Sequence, residues 1–187
     1  MRIISGKARG TKLYTLEGEN TRPTLDRVKE SIFNIIQNEI ENARILDLFA
    51  GSGAIGIEFL SRGAAKAVLC DSSKDAINII KKNVEKTHME EKSQIINSDF
   101  EKCLNILKNE QFDIIYIDPP YETDYIKKSL EKIINFNLAK EDSLIIVETD
   151  DEQRIVKQIE NIDVEIVDKR KYGRATIIFL SLKKEDA

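Results

Sequence analysis

Short β-branched, apolar runs alternate with stretches of helical period along most of this chain, and that alternation leaves few architectures open. Strand-like runs occur at Arg44 to Phe49, Ala67 to Asp71, Gln94 to Asn97, Asp113 to Asp118 and Leu144 to Glu148. Helical patterns fall between and after them, at about Ala54 to Arg62, Lys74 to Lys86, Glu101 to Lys108, Tyr125 to Phe136 and Glu152 to Ile159. Gly63 follows the first of these as a C-terminal stop should. Upstream, Thr24 stands where a helix N-cap would, Asp26 lies in the first turn, and Val28, Ile32, Ile35, Ile36 and Ile40 recur at helical steps. This pattern predicts a parallel sheet with right-handed crossovers and helices on both faces. The last two runs, Val164 to Val167 and Ala175 to Leu182, are separated only by the turn-compatible Asp168 to Arg174. No crossover helix fits there, so these two strands are expected to pair antiparallel as a hairpin. Strand-like pieces at Arg2 to Ser5 and Lys12 to Leu16 precede the first helix.

With 187 residues and no linker, repeat or low-complexity tract, one domain spanning 1–187 is expected: an N-terminal extension and helix over 1–42 and a core over 43–187. No apolar run approaches a membrane span, and the N-terminus lacks the apolar stretch of a signal peptide, so the cytoplasm is the expected location. Cys70 and Cys103 fit no ligand spacing and read as buried apolar residues, while the single histidine, His88, reads as a surface residue. These exclude a zinc site of the His-Cys kind, and no metal is expected. The net charge of −4 argues against wholesale binding of a polyanion, but its distribution is uneven. Residues 1–29 hold seven basic side chains (Arg2, Lys7, Arg9, Lys12, Arg22, Arg27, Lys29) against three acidic ones, so the rest of the chain is acidic. A basic extension on an acidic body suits either a phosphate-backbone contact or a merely solvated segment.

The first core strand runs into Gly51-Ser52-Gly53-Ala54-Ile55-Gly56, a glycine turn that opens a helix and lets a ligand approach the backbone closely. On its own this turn fits a dinucleotide, a mononucleotide or S-adenosylmethionine. Asp71 ends the second strand 20 residues after Gly51, where a carboxylate can accept hydrogen bonds from ribose hydroxyls. Asp47, inside the first strand, would repel a diphosphate and attract an ammonium or sulfonium group, which favours S-adenosylmethionine over NAD. A buried aspartate hydrogen-bonded to the turn is the structural alternative for that residue. Asp99 is placed to accept from an adenine amino group, with Phe100 near the ring, and also to cap the following helix.

The sharpest motif is Asp118-Pro119-Pro120-Tyr121, which closes the fourth strand with two of the chain's three prolines. An exocyclic amine on a nucleobase is a poor nucleophile until acceptors hold its hydrogens and draw its lone pair out of the ring. Asp118 and a stiffened Pro119 carbonyl supply such acceptors, and Tyr121 offers a face on which an unstacked base can rest. A sulfonium methyl placed in line about 3 Å away needs no metal for transfer.

The segments Leu46-Asp47-Leu48-Phe49-Ala50-Gly51-Ser52-Gly53 and Asp118-Pro119-Pro120-Tyr121 resemble the amino-methyltransferase branch of the Rossmann-like methyltransferases. The opening Met1-Arg2-Ile3-Ile4-Ser5-Gly6-Lys7 and the run Arg22-Pro23-Thr24-Leu25-Asp26-Arg27-Val28-Lys29-Glu30 resemble the bacterial small-subunit (16S) rRNA guanine-N2 methyltransferases of the RsmD type, and the likeness extends through Tyr172-Gly173 to the last strand. The resemblance implies a class I methyltransferase fold, an α/β seven-stranded mixed sheet in the order 3-2-1-4-5-7-6 with an antiparallel last strand. It implies S-adenosylmethionine as cofactor and, as target, a guanine N2 of 16S rRNA in a partly assembled or complete 30S subunit; a monomer is expected. Carried over, Asp47, Gly51 and Gly53 would contact the methionine part of the cofactor, Asp71 the ribose and Asp99 the adenine, with the Arg22-Pro23-Thr24 segment at its border; Phe49, Ala50, Ser52, Ser72 and Phe100 are also expected among the cofactor-binding residues. Asp118 to Tyr121 would hold the guanine, and Arg2, Lys7, Arg9, Lys12, Arg22 and Arg174 the RNA. Ser5 stands where the family pattern has glycine, and Asp71 where glutamate is commoner. Residue chemistry alone does not separate guanine N2 from adenine N6 methylation of DNA or RNA. An NAD-dependent oxidoreductase and a catalytically silent RNA-binding module are the other classes the glycine turn leaves open.

Overall fold

A computed structural model describes residues 1–16, 23–120 and 123–184, with side chains from Asp26 onward in the second stretch. Its strands form a seven-stranded sheet in the order β3-β2-β1-β4-β5-β7-β6, the order the resemblance implies. Two compact units divide the chain, Met1–Asp99 and Phe100–Ala187.

The first unit holds α1 (Pro23–Ile35), β1 (Arg44–Asp47), α2 (Ala54–Ser61), β2 (Lys66–Asp71), α3 (Lys74–Lys86) and β3 (Ser93–Asn97). β2 pairs parallel with β1, Ile45 beside Ala67, and with β3, Cys70 beside Ile96. Ile45, Leu46, Val68 and Leu69 are buried, as strands covered on both faces require. Gly56 lets α2 lie close against this sheet, since a Cβ there would stand 2.0 Å from Leu69 Cδ2. Both cysteines are buried and His88 is exposed, as the sequence predicts.

The second unit holds α4 (Phe100–Ile106), β4 (Phe112–Ile117), α5 (Tyr125–Asn135), β5 (Ala139–Thr149), α6 (Glu152–Ile159), β6 (Val164–Tyr172) and β7 (Ala175–Leu182). β4 pairs parallel with β5, while β7 pairs antiparallel with both β5 and β6. The expected hairpin is therefore present, but its first strand runs five residues beyond Val167. Residues Asp168 to Tyr172 pair with β7 instead of turning, after a register irregularity between Ile166 and Asp168. Only Gly173 and Arg174 remain as the turn, with Gly173 at φ +62°.

Two further boundaries depart from the sequence reading. The first helix stops at Ile35 and a 3-10 turn, Gln37–Glu39, carries the chain to the buried Ile40, so the apolar spacing outlasts the helix itself. The N-terminal pieces form only an isolated antiparallel bridge, Arg2 to Lys12. Around it the chain makes a tight hook: Ile3 N–H donates to the Thr11 carbonyl at 3.0 Å and Gly10 N–H to that of Ile3 at 2.8 Å, with Gly6 and Gly10 both at φ +83°. Among the described residues no helix is long and apolar enough to cross a membrane.

Candidate active site

In the first unit, β1 delivers the chain into the glycine turn. Gly51 and Gly53 adopt φ +55° and +80°, a left-handed conformation that side-chain-bearing residues resist, and Gly53 N–H closes the turn onto the Ala50 carbonyl at 2.7 Å. Ala50 N–H reaches across to the Cys70 carbonyl at 2.8 Å, which ties the turn to β2. Ala50, Ser52 and Gly53 are buried; Phe49 and Gly51 are half-buried and Ser72 is exposed.

Asp71 ends β2 beside that turn. One carboxylate oxygen accepts from Gly51 N–H at 2.9 Å and the other from Ser73 N–H at 2.9 Å. Each oxygen keeps a second lone pair, so the carboxylate can still accept from a pair of hydroxyls while its orientation is set by the backbone. The shorter aspartate in place of glutamate thus sits against the turn itself. Asp99 is half-buried immediately before α4, and its carbonyl accepts from Ser98 Oγ at 3.1 Å.

Asp47 is 1% exposed, and its Oδ2 accepts from Gly56 N–H at 3.0 Å. This carboxyl thus fastens the first turn of α2 to β1. Burial pushes its pKa from the ordinary 3.8 up to about 7; the Gly56 hydrogen bond opposes the rise and the negative charge of Asp71 adds to it. The group is protonated in both folded and unfolded chains below about pH 4, and ionising it inside the fold becomes costly as pH rises toward 7. Asp47→Asn keeps an acceptor for Gly56 and removes the titration. It is expected to gain stability over the wild type as pH rises from about 4 to 8, by up to roughly 4 kcal/mol. Urea unfolding at those pH values measures this, and a difference that does not change with pH contradicts it.

In the second unit, Ile114, Ile115 and Ile117 of β4 are buried, and the strand ends directly at Asp118, which is half-buried. Pro119 is buried and Pro120 exposed, with the Pro120 carbonyl accepting from Thr123 Oγ1 at 3.0 Å. Tyr116, on the same side of β4 as Asp118, donates its hydroxyl to Glu148 Oε2 at 2.7 Å. Burial holds the Glu148 carboxyl above its usual range, against the pull of that hydrogen bond. Phe100 and Tyr125 pack at 4.8 Å between ring centroids, so Phe100, 7% exposed, spends part of its face on α5. Tyr121 and Arg22 lie outside the described residues, and of Thr24 only the backbone, in α1, is described.

The basic residues proposed for RNA divide between the units. Arg2, Lys7, Arg9 and Lys12 are exposed on the N-terminal hook, where Arg2 Nε lies 3.7 Å from Asp26 Oδ2; Arg174 is exposed in the β6–β7 turn. Two buried residues that sequence reasoning missed support this half of the molecule. Glu58 of α2, fully buried, accepts from Ile4 N–H at 2.9 Å and Ser5 N–H at 3.0 Å and pairs with Lys29 at 3.2 Å and Arg62 at 2.8 Å. Its signal was present, since it is the one charge inside the otherwise apolar run Ala54 to Leu60. Asn83 of α3, also fully buried, donates to the Ser52 carbonyl at 2.8 Å and so holds the glycine turn from behind. Nothing in its local sequence marks it.

The family model described as Conserved hypothetical protein 95 matches residues 1–181. Ribosomal RNA small subunit methyltransferase D of Haemophilus influenzae is 37% identical over 161 residues, 83% of this chain and 82% of that protein. The Escherichia coli K12 protein of the same name is 34% identical over 150 residues, 80% and 75% of the two chains. Among solved structures, a hypothetical protein of Thermus thermophilus has a TM-score of 0.79 at 25% identity, covering 97% of this chain and 99% of that one. The match over residues 1–181 and the identity to these relatives, in a chain that carries the glycine turn, the Asp-Pro-Pro strand end and the seven-stranded sheet, place it in the Conserved hypothetical protein 95 family, that of the small-subunit ribosomal RNA methyltransferase D proteins.

Proposed function

We propose that this protein is an S-adenosylmethionine-dependent rRNA methyltransferase that modifies the exocyclic N2 amine of a guanine in 16S rRNA. On this reading it works in the cytoplasm, as a monomer, on a partly assembled or complete 30S subunit. The observation that carries the reading is the Asp118-Pro119-Pro120 strand end, set directly after the buried β4 in a chain whose relatives bear the methyltransferase D name.

The first unit suits the cofactor. Its carboxylates, Asp47 and Asp71, flank a turn of left-handed glycines, and a buried carboxyl pushed up to about 7 is one that a cationic ligand would return to its charged form. Asp47 and the Phe49 to Gly53 backbone would hold the methionine part, Asp71 and Ser72 the ribose, and Asp99 with Phe100 the adenine. When bound, S-adenosylmethionine supplies an electrophilic methyl group on a sulfonium, with a neutral thioether as leaving group. The chain's own work is done at the amine. Asp118 and the Pro119 carbonyl accept its two hydrogens, which localises the nitrogen lone pair for attack. Tyr121 supports the base from one face, and Asp118 stands next to receive the proton shed after transfer. Arg2, Lys7, Arg9, Lys12, Arg22 and Arg174 meet the RNA phosphates.

The test is transfer of labelled methyl from S-adenosylmethionine to 30S particles lacking the modification, followed by nucleoside digestion. Label in N2-methylguanosine of 16S rRNA is the expected result. Label in N6-methyladenine, or methylation of duplex DNA but not of the particles, overturns the choice of base or polymer.

A further inference from the structure

We propose that Tyr14 is a stacking platform for an unpaired nucleotide of the RNA, presented by the buried Asn83; this rests on the rRNA reading above. In a chain without tryptophan, Tyr14 keeps 49% of its surface exposed, among the largest apolar side chains left open to solvent. An exposed tyrosine on a mobile segment would be unremarkable, but this one is held from both sides of its backbone. Tyr14 N–H donates to Asn83 Oδ1 at 2.7 Å, and Tyr14 carbonyl accepts from Asn83 Nδ2 at 2.9 Å. The same Nδ2 donates to the Ser52 carbonyl at 2.8 Å, so three hydrogen bonds fix the amide and, through it, the backbone of the tyrosine. Leu13, the residue before, is buried, which directs the alternate positions Lys12 and Tyr14 outward together.

The surroundings are cationic. The Lys86 ammonium lies 4.5 Å from the centre of the Tyr14 ring. Lys82, one helical turn earlier on α3, is exposed on the same face, and Lys12 stands two residues before Tyr14. An exposed aromatic ring with one ammonium over a face and two further lysines nearby matches the two chemistries of a single-stranded nucleotide, a base that stacks and a phosphate that needs a positive partner. An acidic protein segment would use the charge and an apolar one the ring, whereas a nucleotide uses both.

The experiment measures affinity of the full chain for an in vitro transcribed 16S rRNA fragment by fluorescence anisotropy, beside affinity for S-adenosylhomocysteine and the melting temperature. Tyr14→Ala is expected to weaken RNA binding about tenfold, with cofactor affinity and melting temperature unchanged. Tyr14→Phe should bind within about twofold of the wild type because stacking needs the ring, not the hydroxyl. Tyr14→Leu should behave like Tyr14→Ala although it keeps apolar area. The proposal is overturned if Tyr14→Ala binds RNA as the wild type does, if Tyr14→Leu matches Tyr14→Phe, or if a ribosomal protein is bound in a Tyr14-dependent way while RNA affinity stays constant. Tyr14-dependent RNA binding in a wild-type protein that transfers no methyl group would sink the enzyme reading and leave the platform standing; methyl transfer indifferent to Tyr14 would do the reverse.

Discussion

Asp118→Ala is expected to lower methyl transfer to 16S rRNA by about 10²- to 10³-fold, with affinity for S-adenosylhomocysteine held within about twofold. The proposed role explains the asymmetry. Asp118 follows a strand whose Ile115 and Ile117 are fully buried, so packing of the strand sets its backbone position. Removing the carboxylate takes an acceptor from the amine, whereas the proposed cofactor residues Asp47 and Asp71 are hydrogen-bonded to Gly56 and Gly51. Asp118→Asn, which keeps one acceptor oxygen, should retain more activity than the alanine variant. Tyr121→Ala should likewise lose transfer and keep cofactor affinity. Single-turnover methyl transfer and calorimetric titration with S-adenosylhomocysteine separate the two quantities. If both alanine variants lose the cofactor as well as the chemistry, the division of labour proposed here is wrong.

The second large effect concerns stability. Glu58→Ala is expected to destabilise the fold by about 3–5 kcal/mol, or about 10 °C in melting temperature. The substitution leaves Lys29, 4% exposed, and the Arg62 guanidinium without their shared acceptor, and it strips the Ile4 and Ser5 N–H groups of theirs. Burial already holds the Lys29 amine below its usual range, with Glu58 opposing that drop, so removal of the carboxylate leaves the buried ammonium with the Arg2 carbonyl and the charge of Asp26 but without its ion-pair partner. Adding Lys29→Met to Glu58→Ala should recover part of the loss, because it removes the orphaned charge. Denaturant unfolding of the three variants measures the coupling. A cost below about 1 kcal/mol for Glu58→Ala, or no recovery in the double variant, would mean that the cluster is not buried as described.

The elements nearest the proposed chemistry were the most legible. β1, β2, α2, α3 and the Asp118 strand end lie within one or two residues of their expected positions, because each is announced by a local signal: an apolar run, a glycine or a proline. β6 was under-read for the opposite reason. Asp168 to Tyr172 are polar and mostly exposed, so period-two alternation is absent, and the strand is held at the sheet edge by its ladder to β7 and by the ion pair of Lys169 with Glu152 of α6. β5 begins five residues early for a similar reason. Polar Lys140 to Ser143 extend it, with Ser143 accepting from Lys140 N–H and donating to the Phe112 carbonyl at 2.6 Å.

Order and type of the elements, the glycine turn and the Asp118 loop could be read from residues a few positions apart, since periodicity and turn chemistry act over that range. Other features needed the folded chain. That Asp47 fastens α2, that Glu58 collects two cations and two N–H groups, and that Asn83 joins Tyr14 to Ser52 all depend on partners that only packing brings together. Glu58 meets Ile4 across 54 positions, and Asn83 meets Tyr14 across 69. A buried polar group is stable only where its hydrogen bonds are met, and the groups that meet them are chosen by the tertiary fold, not by neighbours in the chain.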